Sequence, residues 1–463
     1  MSKMSRTKIV CTIGPASSTS AIQKRMAKAG MNVARLNFSH GTHEQHHAFV
    51  SSLRHVAAEI GKPIGIMQDL QGPKIRIGIV PNEGISLRRD DTVHFSPRTK
   101  AYSQADRLIP VTYGGFARDV RAGDRILIDD GLIECSVMRV HGNAVAARVV
   151  TEGVLLSHKG INLPDSAVRL SALTAKDQKD VAFGVREEVD FMVLSFVSSA
   201  EDIKKLRDLI RREEKRQKKK PLGIQVIAKI ERADAIHRMD EIIEESDVIM
   251  IGRGDLGVEI PLEEVPIRQK EIVHKSRCAG KPVIVATHML ESMREKVRAT
   301  RAEISDVANA VIDHADAVML SAESATGKYP VKAVETLTKV IEETEASVYD
   351  DIRSDELCVD KQDAEIANQI RLAFEGGGVD VIVTATQFGD VARLVNRHRP
   401  EVPIFIAVAT EREQNQMAIK WGVRPFLMKK SRSTDTFEKE ARKQLVTLKW
   451  IHVTDRLLFI TSV

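Results

Sequence analysis

Eight short apolar runs recur along the first 340 residues, and a longer polar or amphipathic stretch follows most of them. Runs so continuous in Val, Ile, Met and Leu are typical of parallel strands buried on both faces. Eight such strands with helical crossovers predict an α/β fold, a (β/α)8 TIM barrel, rather than an open sheet. The runs are KIVCTIG, NVARLNF, PIGIMQD, DFMVLSF, IQVIAKI, DVIMIGR, PVIVATH and DAVMLSA.

Two further segments divide the chain of 463 residues into three domains. Residues 74–170 contain period-two patches such as DRILIDDGLIECSVMRV, which predict a small β-barrel inserted after the third barrel strand. At that end of a strand it can cover the site, and we name it the lid domain. Residues 341–463 alternate helix and strand patterns and predict a C-terminal α/β domain. The barrel itself comprises residues 1–73 and 171–340.

The charge balance excludes several classes of partner. The chain has 69 Lys and Arg residues against 64 Asp and Glu, and a net charge of +5 is too small to indicate nucleic acid or a membrane surface. The most basic run, RREEKRQKKK, has no aromatic residues to stack on bases. No apolar run reaches the ~20 residues that cross a bilayer, and the N-terminus lacks a signal-peptide pattern. We therefore expect a cytoplasmic protein.

Polar and charged residues stand at the ends of the predicted barrel strands. Active sites of such barrels lie at the C-terminal ends of the strands, and polar groups that arrive there from several strands are difficult to explain as core. Lys74 and Arg76 follow the third strand on a Gly-Pro turn. The strand-end residues are Arg35, Asn37, Asp69, Lys229, Glu231, Arg253, Asp255, Thr287, Ser321 and Glu323.

Glu231 and Asp255 follow neighbouring strands, where two carboxylates can hold one hard divalent cation. Magnesium suits such a site because it accepts few protein ligands and keeps positions for water and substrate oxygens. Lys229 points to the same side as Glu231, two residues away in an extended strand. A lysine beside a metal fits a phosphorylated carboxylate, so the pattern favours phosphoryl transfer. A structural network of ion pairs among the three residues is the alternative.

Two nucleotide-binding motifs are mismatched or absent. GRGDLG, residues 252–257, has the letters of the dinucleotide pattern, but we expect it to open into the stretch VEIPLEEV and not directly into a helix. Asp255 would also repel a pyrophosphate there. No P-loop occurs, since ATGKYP lacks a hydroxyl residue after its lysine. A nucleotide would therefore bind without either motif.

Longer motifs resemble those of pyruvate kinases. They occur in the family's order across nearly all of the first 345 residues: TKIVCTIGPAS, ARLNFSHGTHEQH, GPKIRIG, KGINLP, IAKIER, IGRGDLGVEIP, ATHMLESM and TRAEISDVANAVIDHADAVMLSAESATGKYP. The resemblance implies a barrel, a lid and a C-terminal domain in a homotetramer. It also implies the glycolytic transfer of phosphate from phosphoenolpyruvate to ADP, which gives pyruvate and ATP.

The resemblance implies roles on the phosphoenolpyruvate side of the site. Lys229 would stabilise the phosphoryl group in transit. Glu231 and Asp255 would hold Mg²⁺ or Mn²⁺, and the backbone N–H groups of Gly254 and Asp255 would bind the substrate carboxylate. Thr287 would bind phosphoenolpyruvate or help to protonate the enolate.

The resemblance also implies residues that bind the nucleotide phosphates and residues that relay a proton. Arg35 and Arg76 would bracket phosphates. The ADP phosphate path would be lined by Asn37, Ser39, His40 and Lys159, and an outer proton relay would contain Ser321 and Glu323. His288 and Ala322 replace the Gln and Gly that are frequent in the family, and we expect both changes to be tolerated. The C-terminal loop TATQFGD lacks a cation and adds Asp390, so we expect no activation by a sugar bisphosphate.

The stretch around Lys74 differs from that of the potassium-dependent family members. In those enzymes it resembles DTKGPEIRTG, and potassium is held by residues matching Asn37, Ser39, Asp69 and the carbonyl of Leu70. This chain has Leu70, Gln71, Lys74 and Ile77 at the differing positions, which resembles the potassium-independent branch. Lys74 supplies an ammonium group covalently, so we expect no potassium requirement. A solvent-facing Lys74 without a role is the alternative.

The sequence leaves two other functions open. One is a metal-dependent aldolase or lyase of phosphoenolpyruvate or pyruvate chemistry, whose barrel would also use Glu and Asp ligands. The lid domain, Arg76 and Lys159 disfavour it, since such an enzyme needs no ADP. The other is a non-catalytic metabolite sensor with the same fold, which the intact metal and lysine positions disfavour.

Overall fold

Eight parallel strands close into a barrel in the computed structural model, which describes residues 5–166, 168–350, 378–388 and 391–461. Strands that follow one another in the barrel part of the chain are neighbours, and the last pairs with the first through Lys8 and Ala317. The predicted (β/α)8 barrel is confirmed. Its strands are β1 (Lys8–Ile13), β2 (Met31–Asn37), β3 (Gly65–Asp69), β13 (Phe191–Leu194), β14 (Gln225–Ile230), β15 (Val248–Gly252), β16 (Val283–Ala286) and β17 (Ala317–Leu320).

Helices connect the barrel strands, and threonine caps fix where several of them begin. Thr42, Thr174 and Thr300 each accept a hydrogen bond from a backbone N–H of the first turn and form reciprocal capping boxes. No helix among the described residues is long and apolar enough to span a membrane. The helices are α1 (Ser20–Ala29), α2 (His43–Ile60), α4 (Ala175–Arg186), α5 (Ala200–Arg216), α6 (Ala233–His237), α7 (Met239–Glu245), α8 (Arg253–Glu259), α9 (Val265–Cys278), α10 (Arg301–Ile312), α11 (Ala322–Ala325) and α12 (Pro330–Thr344).

The lid domain is a mainly antiparallel β structure. Seven of its strands form one sheet in the order β4-β12-β8-β9-β10-β6-β7, and β5 pairs separately with β11. An isolated bridge between Ile77 and Val111 joins the chain beyond β4 to the chain beyond β7. The elements are β4 (Ile75–Arg76), β5 (Ile85–Leu87), β6 (Thr92–Ser96), β7 (Leu108–Pro110), α3 (Phe116–Asp119), β8 (Arg125–Ile128), β9 (Ile133–His141), β10 (Ala144–Thr151), β11 (Gly153–Leu155) and β12 (Gly160–Asn162).

The C-terminal domain contains a four-stranded parallel sheet with the order β20-β19-β18-β21. The helix expected at AEIANQIRLAF and the loop residue Asp390 lie outside the described residues. The described elements are β18 (Val381–Ala385), α13 (Val391–Arg397), β19 (Ile404–Val408), α14 (Glu411–Met417), β20 (Val423–Leu427), α15 (Thr434–Thr447) and β21 (Leu457–Phe459).

The C-terminal domain packs against the end of the barrel where β17 begins. Ile419 belongs to the same buried apolar cluster as the side chains that fill the barrel interior. The guanidinium groups of Arg6 and Arg399 each lie over the Trp421 ring, 5.1 and 5.2 Å from its centroid. Asp316 accepts hydrogen bonds from Arg399 and from the Trp421 backbone N–H. This junction therefore combines apolar contact with a buried ion pair.

His314 lies at the same junction and should make the protein sensitive to acid. Burial, and then the positive charges of Arg399 and Arg277, lower the pKa of His314 from 6.5 to about 3, and the Asp350 carboxylate, 3.8 Å from Nδ1, is the one acidic group close enough to oppose that shift among the ion pairs of the described residues. The unfolded chain therefore binds a proton that the folded chain rejects, and stability falls as the pH drops below 6.5. At pH 5 the difference amounts to about 2 kcal/mol of unfolding free energy.

The measurement is urea denaturation between pH 7.5 and pH 5 for the wild type and for His314→Asn. Asparagine tolerates the left-handed backbone at this position, where φ is 62°. We expect His314→Asn to lose about 2 kcal/mol less stability on acidification. The exposed His141→Asn serves as the control. Equal losses in all three proteins would contradict the prediction.

Candidate active site

Lys229 and Glu231 meet at the end of β14 in a fully enclosed position. Glu231 is 0% exposed and Lys229 is 8% exposed. Lys229 Nζ lies 2.5 Å from Glu231 Oε1, and the backbone N–H of Phe196 donates to Glu231 Oε2 at 3.1 Å. No donor among the described residues is aligned for a hydrogen bond to Oε1, although the ammonium group is close. Oε1 is thus ion-paired with Lys229, and a metal ion at this oxygen would compete with that pairing.

Asp255 lies in the first turn of α8, which begins directly after β15. The expectation that GRGDLG would not open directly into a helix is therefore wrong. Gly254 and Gly257 lower the helix propensity of this stretch, but an aspartate near a helix N-terminus is favourable, and tertiary packing supports the short helix. Lys74 Nζ approaches Asp255 Oδ1 at 3.4 Å, and the lysine side chain is partly buried.

Burial and charge act in opposite directions on this set of residues. Burial, with the negative charge of Asp255 added, raises the pKa of Glu231, and the charge of Lys229 opposes that rise. Burial alone would also raise the pKa of Asp255, but the charges of Lys229 and Lys74 lower it. Burial would lower the pKa of Lys229, but Glu231, Asp69 and Asp255 together raise it. Lys229 therefore keeps its positive charge despite its burial.

These two carboxylates fit a hard divalent cation that keeps most of its other ligands from water or substrate. Glu231 would supply one oxygen, in competition with its ion pair to Lys229, and Asp255 would supply an anionic neighbour. In the described part of the chain, no cluster of three or more His, Cys, Asp or Glu side chains could hold a metal by itself. The donor set therefore suits Mg²⁺ or Mn²⁺ rather than a structural zinc.

Arg35 is fixed on the opposite side of the barrel mouth by residues that the sequence analysis partly missed. Its Nε donates to Asp69 Oδ2 at 2.7 Å, and its Nη1 donates to Thr12 Oγ1 at 2.9 Å. Ser195 Oγ lies 3.2 Å from Asp69 Oδ1 and donates to the Leu70 carbonyl at 2.8 Å. Thr12 and Ser195 also stand at barrel-strand ends, and that position was the signal that could have identified them.

Thr287 has a strained backbone for a β-branched residue. Its φ is 69°, and that of His288 is 54°, both in the left-handed region. Thr287 Oγ1 accepts from the Gly254 N–H at 2.8 Å and donates to the Ala286 carbonyl at 2.6 Å. Arg253 Nη2 holds the Thr287 carbonyl at 2.7 Å. The Gly254 N–H that was expected to face a substrate carboxylate is thus engaged by the Thr287 hydroxyl.

The expected nucleotide-side residues form two groups. On the barrel, Asn37 Oδ1 accepts from the Ser39 N–H at 3.1 Å, and the carbonyl of His40 lies 2.9 Å from His46 Nε2. Ser39 and His40 are exposed. On the lid domain, Arg76 lies on β4 and donates to the His158 carbonyl at 2.9 Å, and Lys159, just before the neighbouring β12, pairs with Asp129 at 2.9 Å.

The expected relay residues are close in the chain but not hydrogen-bonded through their side chains. Glu323 accepts from the backbone N–H groups of Leu290 and Ser321, at 3.1 and 2.7 Å. Burial raises the pKa of Glu323 above its ordinary value. Ser321 Oγ is buried and has no hydrogen-bond partner in the described ranges. A water or substrate atom could therefore bond to it.

A closed barrel whose C-terminal rim brings together a buried lysine and two neighbouring carboxylates, next to basic residues of the lid domain, suits a phosphotransferase. The sequence matches the family model for "Pyruvate kinase, barrel domain" over residues 4–334 and that for "Pyruvate kinase, alpha/beta domain" over residues 364–463. The chain belongs to the pyruvate kinase family.

Individual relatives agree with this assignment. The chain is 38% identical to a pyruvate kinase of Clostridium acetobutylicum over 435 residues, which cover 93% of this chain and 90% of the relative. It is 40% identical to that of Bacillus licheniformis over 451 residues, with 96% and 76% coverage. A crystal structure of a pyruvate kinase from Cryptosporidium parvum superposes with a TM-score of 0.92 at 32% identity, covering 98% of this chain and 94% of the other.

Gly252 provides the space that Glu231 occupies, and enlarging it should impair the site. A Cβ atom at residue 252 would lie 2.5 Å from Glu231 Cγ and 2.7 Å from Oε1. We expect Gly252→Ala to displace the carboxylate and to weaken Mn²⁺ binding and turnover about a hundredfold, as loss of a metal-orienting contact does.

Steady-state kinetics and electron paramagnetic resonance of bound Mn²⁺ measure the effect. Gly257→Ala is the matched control, because its Cβ would meet only flexible side-chain ends, Leu262 Cδ1 at 3.1 Å and Val265 Cγ2 at 3.6 Å. Normal Mn²⁺ affinity in Gly252→Ala would show that Glu231 tolerates displacement.

Proposed function

We propose that this protein transfers the phosphoryl group of phosphoenolpyruvate to ADP and forms pyruvate and ATP. The buried set of Lys229, Glu231 and Asp255 at adjacent strand ends carries the proposal, and membership of the pyruvate kinase family supports it. An aldolase would need the metal site but not the basic lid residues. A sensor would not need a lysine kept charged in a buried position.

Lys229 acts on the group that moves. The bond between phosphorus and the enolate oxygen breaks while ADP oxygen bonds to phosphorus, so negative charge spreads over the phosphoryl oxygens. A buried ammonium group stabilises that charge more than it stabilises the ground state, because little water competes. Arg35, held by Asp69 and Thr12, presents a second fixed cation. A divalent cation bound at Glu231 and Asp255 supplies Lewis-acid charge neutralisation.

Thr287 acts in the protonation of the enolate at carbon. The enolate of pyruvate must gain a proton at carbon, and a hydroxyl group in an enclosed site can donate it. The Gly254 N–H holds Thr287 Oγ1 at 2.8 Å, which fixes the oxygen in place while its proton can turn from the Ala286 carbonyl to the enolate. We assign Ser321 and Glu323 the resupply of that proton.

The lid domain closes over ADP in this proposal. Its limits are residues 74–170, between barrel segments 1–73 and 171–340, with residues 341–463 forming the C-terminal domain. Arg76 and Lys159 face the nucleotide phosphates from the lid domain, and Asn37, Ser39 and His40 face them from the barrel. Closure also excludes water, which would otherwise take the phosphoryl group. We further propose a cytoplasmic homotetramer, which sedimentation of the purified protein would test.

The reaction is tested by measuring pyruvate from phosphoenolpyruvate with and without ADP, and with and without Mg²⁺. We expect pyruvate only when both are present. Pyruvate formed without ADP would indicate a phosphatase or lyase, and none under any condition would indicate a sensor. Glu231→Gln should lower turnover about a hundredfold or more, since it removes an anionic ligand, whereas the exposed Glu263→Gln should not.

The contacts around Lys74 favour activity without potassium. The Leu70 carbonyl already accepts from Ser195 Oγ, and Asn37 Oδ1 already accepts from the Ser39 N–H. Asp69 is paired with Arg35 at 2.6 Å. Lys74 adds a covalently bound cation beside Asp255. One unit charge at ~4 Å contributes on the order of 4 kcal/mol at the effective dielectric near a protein surface, enough to influence closure of a charged site.

We expect full activity in potassium-free and sodium-free buffer, and a potassium requirement created by Lys74→Glu. The variant replaces the fixed cation by an anion, so a free cation becomes necessary. Activity is titrated with KCl in tetramethylammonium buffer. Lys100→Glu, on an exposed lid lysine, makes the same change of charge and should stay potassium-independent. A wild type that is nearly inactive without potassium would refute the assignment.

A further inference from the structure

Two side chains at the base of the lid domain contact one face of helix α8. Strands β4 and β12 are antiparallel neighbours, with Gly160 opposite Arg76 and Ile161 opposite Ile75. The next residues along these strands are Lys74 and Asn162. Lys74 Nζ reaches Asp255 at 3.4 Å, and Asn162 Nδ2 donates to Glu259 Oε1 at 2.9 Å.

Asp255 and Glu259 are four residues apart, so they share one face of the helix. The lid domain is therefore attached to α8 at two points one helical turn apart. The first point involves a residue already placed in the metal site. The second, between Asn162 and Glu259, has no part in the chemistry described above.

The second contact is well enclosed. Asn162 is 8% exposed, and a cavity of only about 30 Å³ adjoins it, roughly the room for one water molecule. Burial raises the pKa of Glu259 despite the hydrogen bond from Asn162 and the positive charge of Arg232. Glu259 also accepts from the Ala233 backbone N–H, so loss of the contact would leave the buried Asn162 amide without its partner and destabilise that arrangement. The contact therefore favours one orientation of β12 on α8.

We propose that Asn162 and Glu259 are a pair of positioning residues that lock strand β12 onto helix α8. Lys159 precedes Asn162 by three residues, and Asp255 precedes Glu259 by one helical turn. The pair thereby fixes the position of Lys159, on the nucleotide side of the site, relative to Asp255, on the metal side. The inference rests on the proposed function for its kinetic consequence, but the lock itself is a structural property that can be measured separately.

The direction of the hydrogen bond permits a matched set of variants. Asn162→Asp places a second carboxylate against Glu259 and should repel it. Glu259→Gln keeps the acceptor oxygen and should retain the contact. The double variant Asn162→Asp with Glu259→Gln reverses the bond, because the glutamine amide can donate to the new aspartate. Asn143→Asp, in the β9–β10 turn, adds the same charge to the lid domain away from α8.

The kinetic readout is the change in KM for ADP compared with the change in kcat. A lost charge-assisted hydrogen bond corresponds to about tenfold or more in an equilibrium constant. We expect Asn162→Asp to raise KM for ADP about tenfold with a smaller change in kcat. Glu259→Gln, the double variant and Asn143→Asp should all stay within about twofold of the wild type. Failure of the double variant to recover would overturn the proposal.

Hydrogen exchange of the substrate-free protein, followed by mass spectrometry, supplies the second readout. Peptides spanning β12 should exchange about tenfold faster in Asn162→Asp and normally in the double variant. Unchanged exchange and unchanged KM in Asn162→Asp would also refute the lock. Glu259→Ala replaces Asn162→Asp if the latter does not fold. If the wild type does not turn over phosphoenolpyruvate and ADP, the proposed function is wrong. The hydrogen-exchange data would still decide whether Asn162 and Glu259 hold β12 on α8.

Discussion

Charged groups at the mouth of the barrel must find partners, because little water reaches them. Arg35 pairs with Asp69 at 2.6 Å, Lys229 with Glu231 at 2.5 Å, and Lys74 with Asp255 at 3.4 Å. Breaking one partner from a buried ion pair typically costs about 3–5 kcal/mol, since the other charge is left unpaired. The surrounding structure follows from this constraint: Ser195 and the Phe196 N–H support two of the carboxylates, and Gly252 leaves room for one of them.

The three pairs also have a chemical meaning. In the absence of other ions, each cation at the mouth is balanced by a carboxylate, so the buried site carries little net charge. In the proposed mechanism, a divalent cation held by Glu231 and Asp255 would leave the ammonium groups of Lys229 and Lys74 available to anionic substrate. The same lysines would then pair with carboxylates in the resting protein and with phosphate during the reaction.

The architecture was largely predictable from sequence, because eight apolar runs carry the signal of buried parallel strands. Because active sites of such barrels lie at the C-terminal ends of the strands, the sequence also predicted that Arg35, Asp69, Lys229 and Glu231 share one rim. The structure places them there. The prediction was wrong for helix α8, because its glycines lower the helix propensity of a segment that tertiary contacts stabilise as a helix. Local patterns could not reveal that Gly254 binds Thr287, or that Asn162 faces Glu259, because those contacts join elements distant in the chain.

The junction around Trp421 has a practical consequence for spectroscopy. The chain has only two tryptophans, Trp421 and Trp450, and both belong to the C-terminal domain. Trp421 packs beside Asp316, at the end of the barrel opposite the active site, and Trp450 lies under the guanidinium of Arg424. Ultraviolet emission of the native protein therefore originates away from the catalytic mouth. A tryptophan introduced into the lid domain would consequently report on the surroundings of that domain by its own change in fluorescence. The emission of Trp421 and Trp450 would provide a constant background from the C-terminal domain.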